Sequence, residues 1–144
     1  KLGVKRTNNK AVIPKFETEG ASCFDVVCVA REPFGPRSMI YNTGLAFDIP
    51  KGYGLEVHSR SGYAFKDDIR LANGVAQIDN DYTGDLMVKL TYDGPPSYRP
   101  DWPIVGDRVA QVKLVKNVKT DLVEVDEIDK ETERGDGGFG STGK

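Results

Sequence analysis

Sixteen glycines and eight prolines punctuate this chain of 144 residues. They recur at intervals of roughly eight to twelve residues, which leaves almost no room for a long helix. The stretches between the breaks are short and rich in β-branched and apolar residues: Cys23 to Ala30, Gly44 to Ile49, Leu55 to His58, Leu86 to Tyr92, Val109 to Val118 and Leu122 to Val125. In the Val109 stretch, Ala110, Val112 and Leu114 alternate with Gln111, Lys113 and Val115, the pattern of a half-buried strand. The Cys23 stretch is apolar on both sides and reads as one strand buried on both faces. One short helix fits, with Ser61 as its cap ahead of Tyr63, Ala64, Phe65 and Lys66. Many short strands at this spacing predict an all-β fold, a sandwich or jelly-roll barrel.

The length suits a single core. With 38% hydrophobic and 29% charged residues, the chain is neither a disordered acidic tail nor a membrane protein by composition. Its longest apolar run, Val26 to Ala30, falls far short of the roughly 20 residues of a helical span. No apolar stretch follows the basic start, so a secretory signal is not expected and an intracellular, cytoplasmic location is. Twenty basic against 22 acidic residues give a net charge of −2. That balance argues against a general electrostatic grip on nucleic acid or an anionic membrane, though not against a small anion held by a few arginines. Five residues of extended chain between Cys23 and Cys28 span about 16 Å, beyond the roughly 7 Å limit for a disulfide. Both are expected to be buried thiols. One histidine and no CxxC pair make a zinc site improbable.

The last eleven residues, Arg134 to Lys144, hold five glycines and nothing that could form a core. The expected organisation is therefore a barrel over residues 1–133 and a flexible arm over 134–144. Fragments of a dinucleotide fingerprint, a P-loop and an RGD tripeptide occur in this arm, but none has its confirming context. Its physical content survives. Glycines let main-chain N–H groups line an anion nest, Ser141 and Thr142 add hydroxyls, Arg134 and Lys144 add charge, and Phe139 can stack on a flat ring. A nucleotide would satisfy all of these; a plain disordered tail would equally explain the composition.

Three further clusters carry chemistry. Ser59-Arg60-Ser61-Gly62 follows a strand and opens the helix, offering a guanidinium fork and free N–H groups to phosphate, or simply an ordinary cap. Asn73 through Gly84 reads as a hairpin, with Asp79 as a partly desolvated carboxylate suited to take a proton from water, or as a turn residue. Gly106 through Gln111 enters a strand whose Gln111 could face a polar site.

In their order these segments resemble the five motifs of the trimeric dUTP pyrophosphatases (dUTPases). Ala21 through Val26 is similar to the first, Arg60-Ser61-Gly62 to the second, Asn73 through Tyr82 to the third, Gly106 through Gln111 to the fourth, and Arg134 through Gly143 to the fifth. The resemblance runs from about residue 10 to the end. It implies a distorted jelly roll assembled as a homotrimer with shared active sites, hydrolysing dUTP to dUMP and pyrophosphate with Mg²⁺ on the triphosphate. It also implies roles by matching position. Asp79 would deprotonate the attacking water. Asn73 and the backbone around Gln77, Ile78 and Met87 would read uracil, and Tyr82 would pack under the deoxyribose. Arg60, Ser61, Gly62 and Gln111 would hold the phosphates, and Asp25 would reach the metal through water. The arm would close over the ligand with Arg134, Phe139, Gly140, Ser141 and Thr142.

Against the family pattern, Cys23 and Ala76 stand for glycine, Ser59 for proline and Tyr63 for leucine. The related deoxycytidine triphosphate deaminases need an acid/base glutamate that this hairpin lacks. A non-catalytic nucleotide sensor is the other alternative, disfavoured by the intact Asp79 and complete arm. The stretch Tyr92 to Trp102, with Gly94, Pro95, Pro96 and Pro100, is longer than a plain hairpin turn and suggests no function.

Overall fold

Ten strands and one helix follow one another in the computed structural model, which describes residues 1–143. They are β1 (Gly3–Arg6), β2 (Phe24–Val27), β3 (Ala30–Pro33), β4 (Ser38–Asn42), β5 (Leu45–Asp48), β6 (Tyr53–His58), α1 (Ser61–Asp67), β7 (Ile69–Leu71), β8 (Ala76–Ile78), β9 (Met87–Tyr92) and β10 (Arg108–Lys116). β2, β10, β6 and β8 form one four-stranded sheet in that order, and β3, β4, β9 and β7 form another. β1 and β5 pair as a separate ribbon, and every pairing is antiparallel. The result is the expected all-β distorted jelly roll with a single short helix among the described residues.

Alternation sorts the side chains. β4 buries Met39 and Tyr41 while Ser38, Ile40 and Asn42 turn outward, because successive residues of a strand face opposite sides. The inward residues of both sheets and the ribbon meet in one core that includes Val26, Leu55, Val57 and Val112 from the first sheet, Tyr41, Leu71 and Leu90 from the second, and Leu45 and Phe47 from the ribbon. Fully burying such a side chain contributes about 1.5–3 kcal/mol. Gly44, at φ +63°, turns the chain between β4 and β5 where an added Cβ would lie 2.8 Å from the Asn8 side chain.

Outside the candidate site, the structure departs from the sequence expectations in four places. The stretch Cys23 to Ala30 is not one strand buried on both faces. β2 alternates between buried and half-buried residues, and the chain changes sheets after it. At the crossing, the Cys28 N–H donates to Asp107 O at 3.0 Å, and Cys28 O accepts from the Gly106 N–H at 2.9 Å. Only Cys28 is fully buried, Cys23 being half-buried, and both are free thiols. The helix is capped by Arg60 rather than Ser61, with no side-chain cap bond, while the Ser59 hydroxyl accepts from the Leu71 N–H at 2.8 Å. Finally, Leu122 to Val125 forms no strand and is exposed along with Val118 and Ile128.

The stretch after Tyr92 is pinned rather than loose. Arg37 donates from Nε to Tyr92 O and from Nη2 to Gly94 O, and its guanidinium lies over the Tyr92 ring. Further on, Arg31 Nη1 and the Tyr41 hydroxyl both donate to Pro103 O at 2.8 Å. Burial pushes the Tyr41 hydroxyl far above the usual tyrosine range, so it stays a donor. No helix among the described residues is long and apolar enough to cross a membrane.

Candidate active site

Two groups of candidate side chains occupy opposite ends of the first sheet. In the first group, Asp25 on β2 pairs in register with Gln111 on β10, which pairs in turn with His58 on β6. Residues directly opposite one another project to the same face, so these three form one row across the sheet. Arg60 follows His58 by two residues and donates from Nε to Asp25 Oδ1 at 3.0 Å. Arg108 Nη1 lies 4.0 Å from Asp25 Oδ2 and its Nη2 lies 3.1 Å from Glu17. The Asp25 side chain is only 11% exposed, so these arginines compensate a carboxylate that has lost most of its water. The Asp25 bond uses Nε of Arg60, and a guanidinium has terminal N–H donors beyond that one with which to meet a further anion. Ser61 and Gly62 are exposed in the first turn of α1, where N–H groups have no partner within the helix.

The second group is built where β7 and β8 part. The expected hairpin across Asn73-Gly74 does not form: β7 pairs with β9 in one sheet and β8 with β6 in the other. Asn73 lies in the link between sheets, and Asp79 follows the end of β8, the edge strand. A cleft of about 270 Å³ opens there, lined by Gln77, Ile78, Asp79, Tyr82, Asp85 and Met87. A second cleft of about 420 Å³ adds Asn73 and Ala76 and shares Met87 as a wall. The Tyr82 hydroxyl folds back to donate to Asp85 O at 2.8 Å. Gly84 permits this, since a Cβ there would meet the tyrosine oxygen at 2.6 Å. The Asp85 carboxylate accepts from Thr7 Oγ1 at 2.6 Å and Asn42 Nδ2 at 3.0 Å. Asp79 itself is exposed in the single chain rather than partly desolvated.

The two groups do not meet within one chain. Ile78 stands opposite Leu55, five residues before Arg60 on the same strand path. Five extended residues span about 16 Å, and Asp79 lies beyond. Sideways, β10 and β2 flank β6 on the side away from β8, so Asp25 is three strand spacings, about 14 Å, across the sheet from β8.

Among the described residues, the arm makes no hydrogen bond to either group. Its hydrogen bonds are local: Arg134 Nε donates to Gly137 O, the Gly135 N–H to Thr132 Oγ1, and the Ser141 N–H to Gly138 O. Phe139 is fully exposed at φ +53°, an unusual conformation for a residue with a side chain. Gly140, Ser141 and Thr142 are exposed beside it, and Lys144 lies outside the described residues.

Several participants escaped the sequence reading. Asp85 lies outside the motifs singled out, and its partners Thr7 and Asn42 are remote in sequence. Arg108 and Glu17 matter only because strand pairing brings them to Asp25. His58 Nε2 lies 3.0 Å from Glu56 Oε2, beside the Gln111 position, and Lys113 Nζ lies 3.7 Å from the same oxygen. Nothing in the local sequence marks these contacts.

Comparison with known proteins bears on this arrangement. The family model described as dUTPase matches residues 9–143. Among curated relatives, a deoxyuridine 5'-triphosphate nucleotidohydrolase of Nautilia profundicola is 40% identical over all of this chain and 99% of its own. One of Helicobacter pylori strain P12 is 36% identical over 99% of this chain and 97% of its own. Among solved structures, Staphylococcus bacteriophage 80alpha dUTPase with dUpNHpp is similar with a TM-score of 0.85, covering 100% of this chain and 99% of its own at 24% identity. A mutant dUTPase from phage phi11 of S. aureus, described with a structural Mg(II) ion, is similar with a TM-score of 0.75 over 90% of this chain and 99% of its own at 21% identity. At those identities the structural likeness is one of fold.

Proposed function

The chain belongs to the dUTPase family, and on that premise we propose that it hydrolyses dUTP to dUMP and pyrophosphate in sites shared between the subunits of a homotrimer. The observation that carries this reading is the cleft beside β8. It brings an exposed carboxylate, Asp79, together with Gln77, Ile78, Tyr82 and Met87 in one lining.

In this reading Asp79 takes a proton from water as the water oxygen attacks the α-phosphorus. The bond from that phosphorus to the oxygen bridging toward the β-phosphorus breaks, and pyrophosphate leaves. Asn73 and the main chain of Gln77, Ile78 and Met87 hold uracil. Tyr82, fixed by its bond to Asp85 O, packs under the deoxyribose and leaves no space for a 2′-hydroxyl. Arg60, Ser61, Gly62 and Gln111 hold the phosphate chain. The arm, residues 134–144, closes over the ligand, with Phe139 on uracil and Arg134, Gly140, Ser141 and Thr142 around the γ-phosphate. Closure excludes water and strengthens each polar contact. Phosphoryl transfer asks a protein chiefly to position and to neutralise, so one base and several donors suffice.

The donor set fits a metal that arrives with its substrate. Among the described residues no three His, Cys, Asp or Glu side chains gather to hold a cation. Asp25 supplies a single carboxylate already shared with Arg60 and Arg108. Mg²⁺ commonly keeps its waters and binds phosphate oxygens with few protein ligands, so Asp25 would hold it through water. When bound, it would neutralise charge on the phosphates.

The separation of Asp79 from Arg60, Gln111 and Asp25 supports completion of each site by a neighbouring copy. Reacting groups must approach within about 3–3.5 Å. The exposed apolar residues Leu122, Val123, Val125 and Ile128 support burial of that segment in an assembly. Pyrophosphate release from a panel of deoxynucleoside triphosphates tests the activity. We expect release from dUTP alone; ammonia from dCTP would indicate a deaminase, and neither product would indicate a binder.

A further inference from the structure

The Arg60 guanidinium meets an aromatic ring as well as a carboxylate. Besides its bond to Asp25, its central carbon lies 5.7 Å from the centroid of the Tyr63 ring, within the range of attraction between a cation and an aromatic face. Tyr63 is itself anchored. It is half-buried against the core, and its carbonyl accepts from the N–H of Asp68, which closes α1 in the left-handed region at φ 54°. It is the third residue of α1 counted from the Arg60 N-cap, positions whose side chains can reach one another at a helix start. Burial, with the Asp107 charge as a lesser cause, raises the Tyr63 hydroxyl above its ordinary range and keeps it neutral. A free arginine side chain samples many rotamers, and ordering it on binding costs affinity. Contact with a ring and a bond to a carboxylate reduce that freedom beforehand.

We propose that Tyr63 is a positioning residue for phosphate binding, its ring and the Asp25 carboxylate together holding the Arg60 guanidinium in the pose that meets the phosphate chain. The inference rests on the reading that Arg60 binds phosphate. The leucine that the family pattern puts at this position could fill the same space but has no aromatic face.

The test is a mutant cycle in the intact assembly. Tyr63→Leu should raise KM for dUTP about threefold to tenfold with kcat within about twofold, and Tyr63→Phe should restore the wild-type KM. Tyr63→Met serves in the same role should the leucine variant assemble poorly. In an Arg60→Ala background, Tyr63→Leu should add nothing, because the ring then has no guanidinium to hold. Calorimetry with inorganic tripolyphosphate, which involves neither base nor turnover, should show weakening by the same factor. A wild-type KM for Tyr63→Leu, or an undiminished penalty in the Arg60→Ala background, overturns the proposal. If wild type binds tripolyphosphate with the Tyr63 dependence but does not hydrolyse dUTP, the proposed reaction fails and this inference stands. If it neither binds tripolyphosphate nor turns over dUTP, both fall.

Discussion

The two ends of the sheet formed by β2, β10, β6 and β8 are prepared in opposite ways. Around Asp25 the charges are paired before any ligand arrives: Arg60 and Arg108 face the carboxylate, and Glu17 holds Arg108 from behind. Around Asp79 the carboxylate is exposed, and order comes from uncharged contacts of Tyr82 and from Asp85. A phosphate chain carries several charges, and a cluster fixed in advance avoids reorganising when those charges land. A base that must deprotonate water works best without a cation already holding its proton-accepting oxygens. One end is therefore organised in advance, while the other is an open surface.

Substitutions can break this contrast. Asp79→Asn keeps the shape of the open end and removes its basicity, so kcat should fall about 10²–10⁴-fold with dUTP affinity largely kept; a steady-state titration reads both. Stability should respond in the reverse order. Asp25→Ala strips the partner from two arginines and should lower unfolding free energy by about 1–3 kcal/mol. Asp79→Ala, at an exposed position, should stay within about 0.5 kcal/mol of wild type in the same urea titration. Equal losses at the two positions would show that the paired end is not the more strongly organised one. Tyr82→Ala should erode selection against UTP by about 1–3 kcal/mol in the ratio of kcat/KM for the two nucleotides; an unchanged ratio would place sugar discrimination elsewhere. A further effect concerns the tie between the open end and the β1–β5 ribbon. Thr7→Val removes the donor to Asp85 and should cost about 1 kcal/mol, read by denaturant midpoint.

How much of this was legible in sequence depends on the range of the interaction. β5, β6, β9 and β10 match apolar stretches whose local pattern suffices, and the helix needs only the few residues after Arg60. β1, β7 and β8 are strands of three or four residues, too short for alternation to register. The crossing at Cys28 was invisible because hydrogen bonds to Gly106 and Asp107 decide it, far along the chain. The same holds for the site. Arg60, Gln111 and Asp79 lie in compact motifs and could be singled out as residues. The salt links of Arg108 with Asp25 and Glu17, the support of Asp85 by Thr7 and Asn42, and the Tyr63 face against Arg60 are made by folding. Leu122 to Val125 reads as a strand and forms none in a single chain, consistent with a sequence shaped by an assembly as well as by its own core.

In the shared site proposed above, Asp79 and the arm come from different chains, and mixed assembly tests this directly. Two inactive variants are prepared, Asp79→Asn and a chain lacking residues 134–144; the second should still fold, since the arm holds no core residue. After equimolar co-refolding with verified subunit exchange, a site is intact when a truncated chain supplies Asp79 and an Asp79→Asn chain supplies the arm. Random assembly satisfies both conditions in about one quarter of sites, the product of two independent halves. The account predicts recovery of about a quarter of wild-type activity. If base and arm belonged to the same chain, every site would carry one defect or the other, and no recovery at all would contradict the shared site.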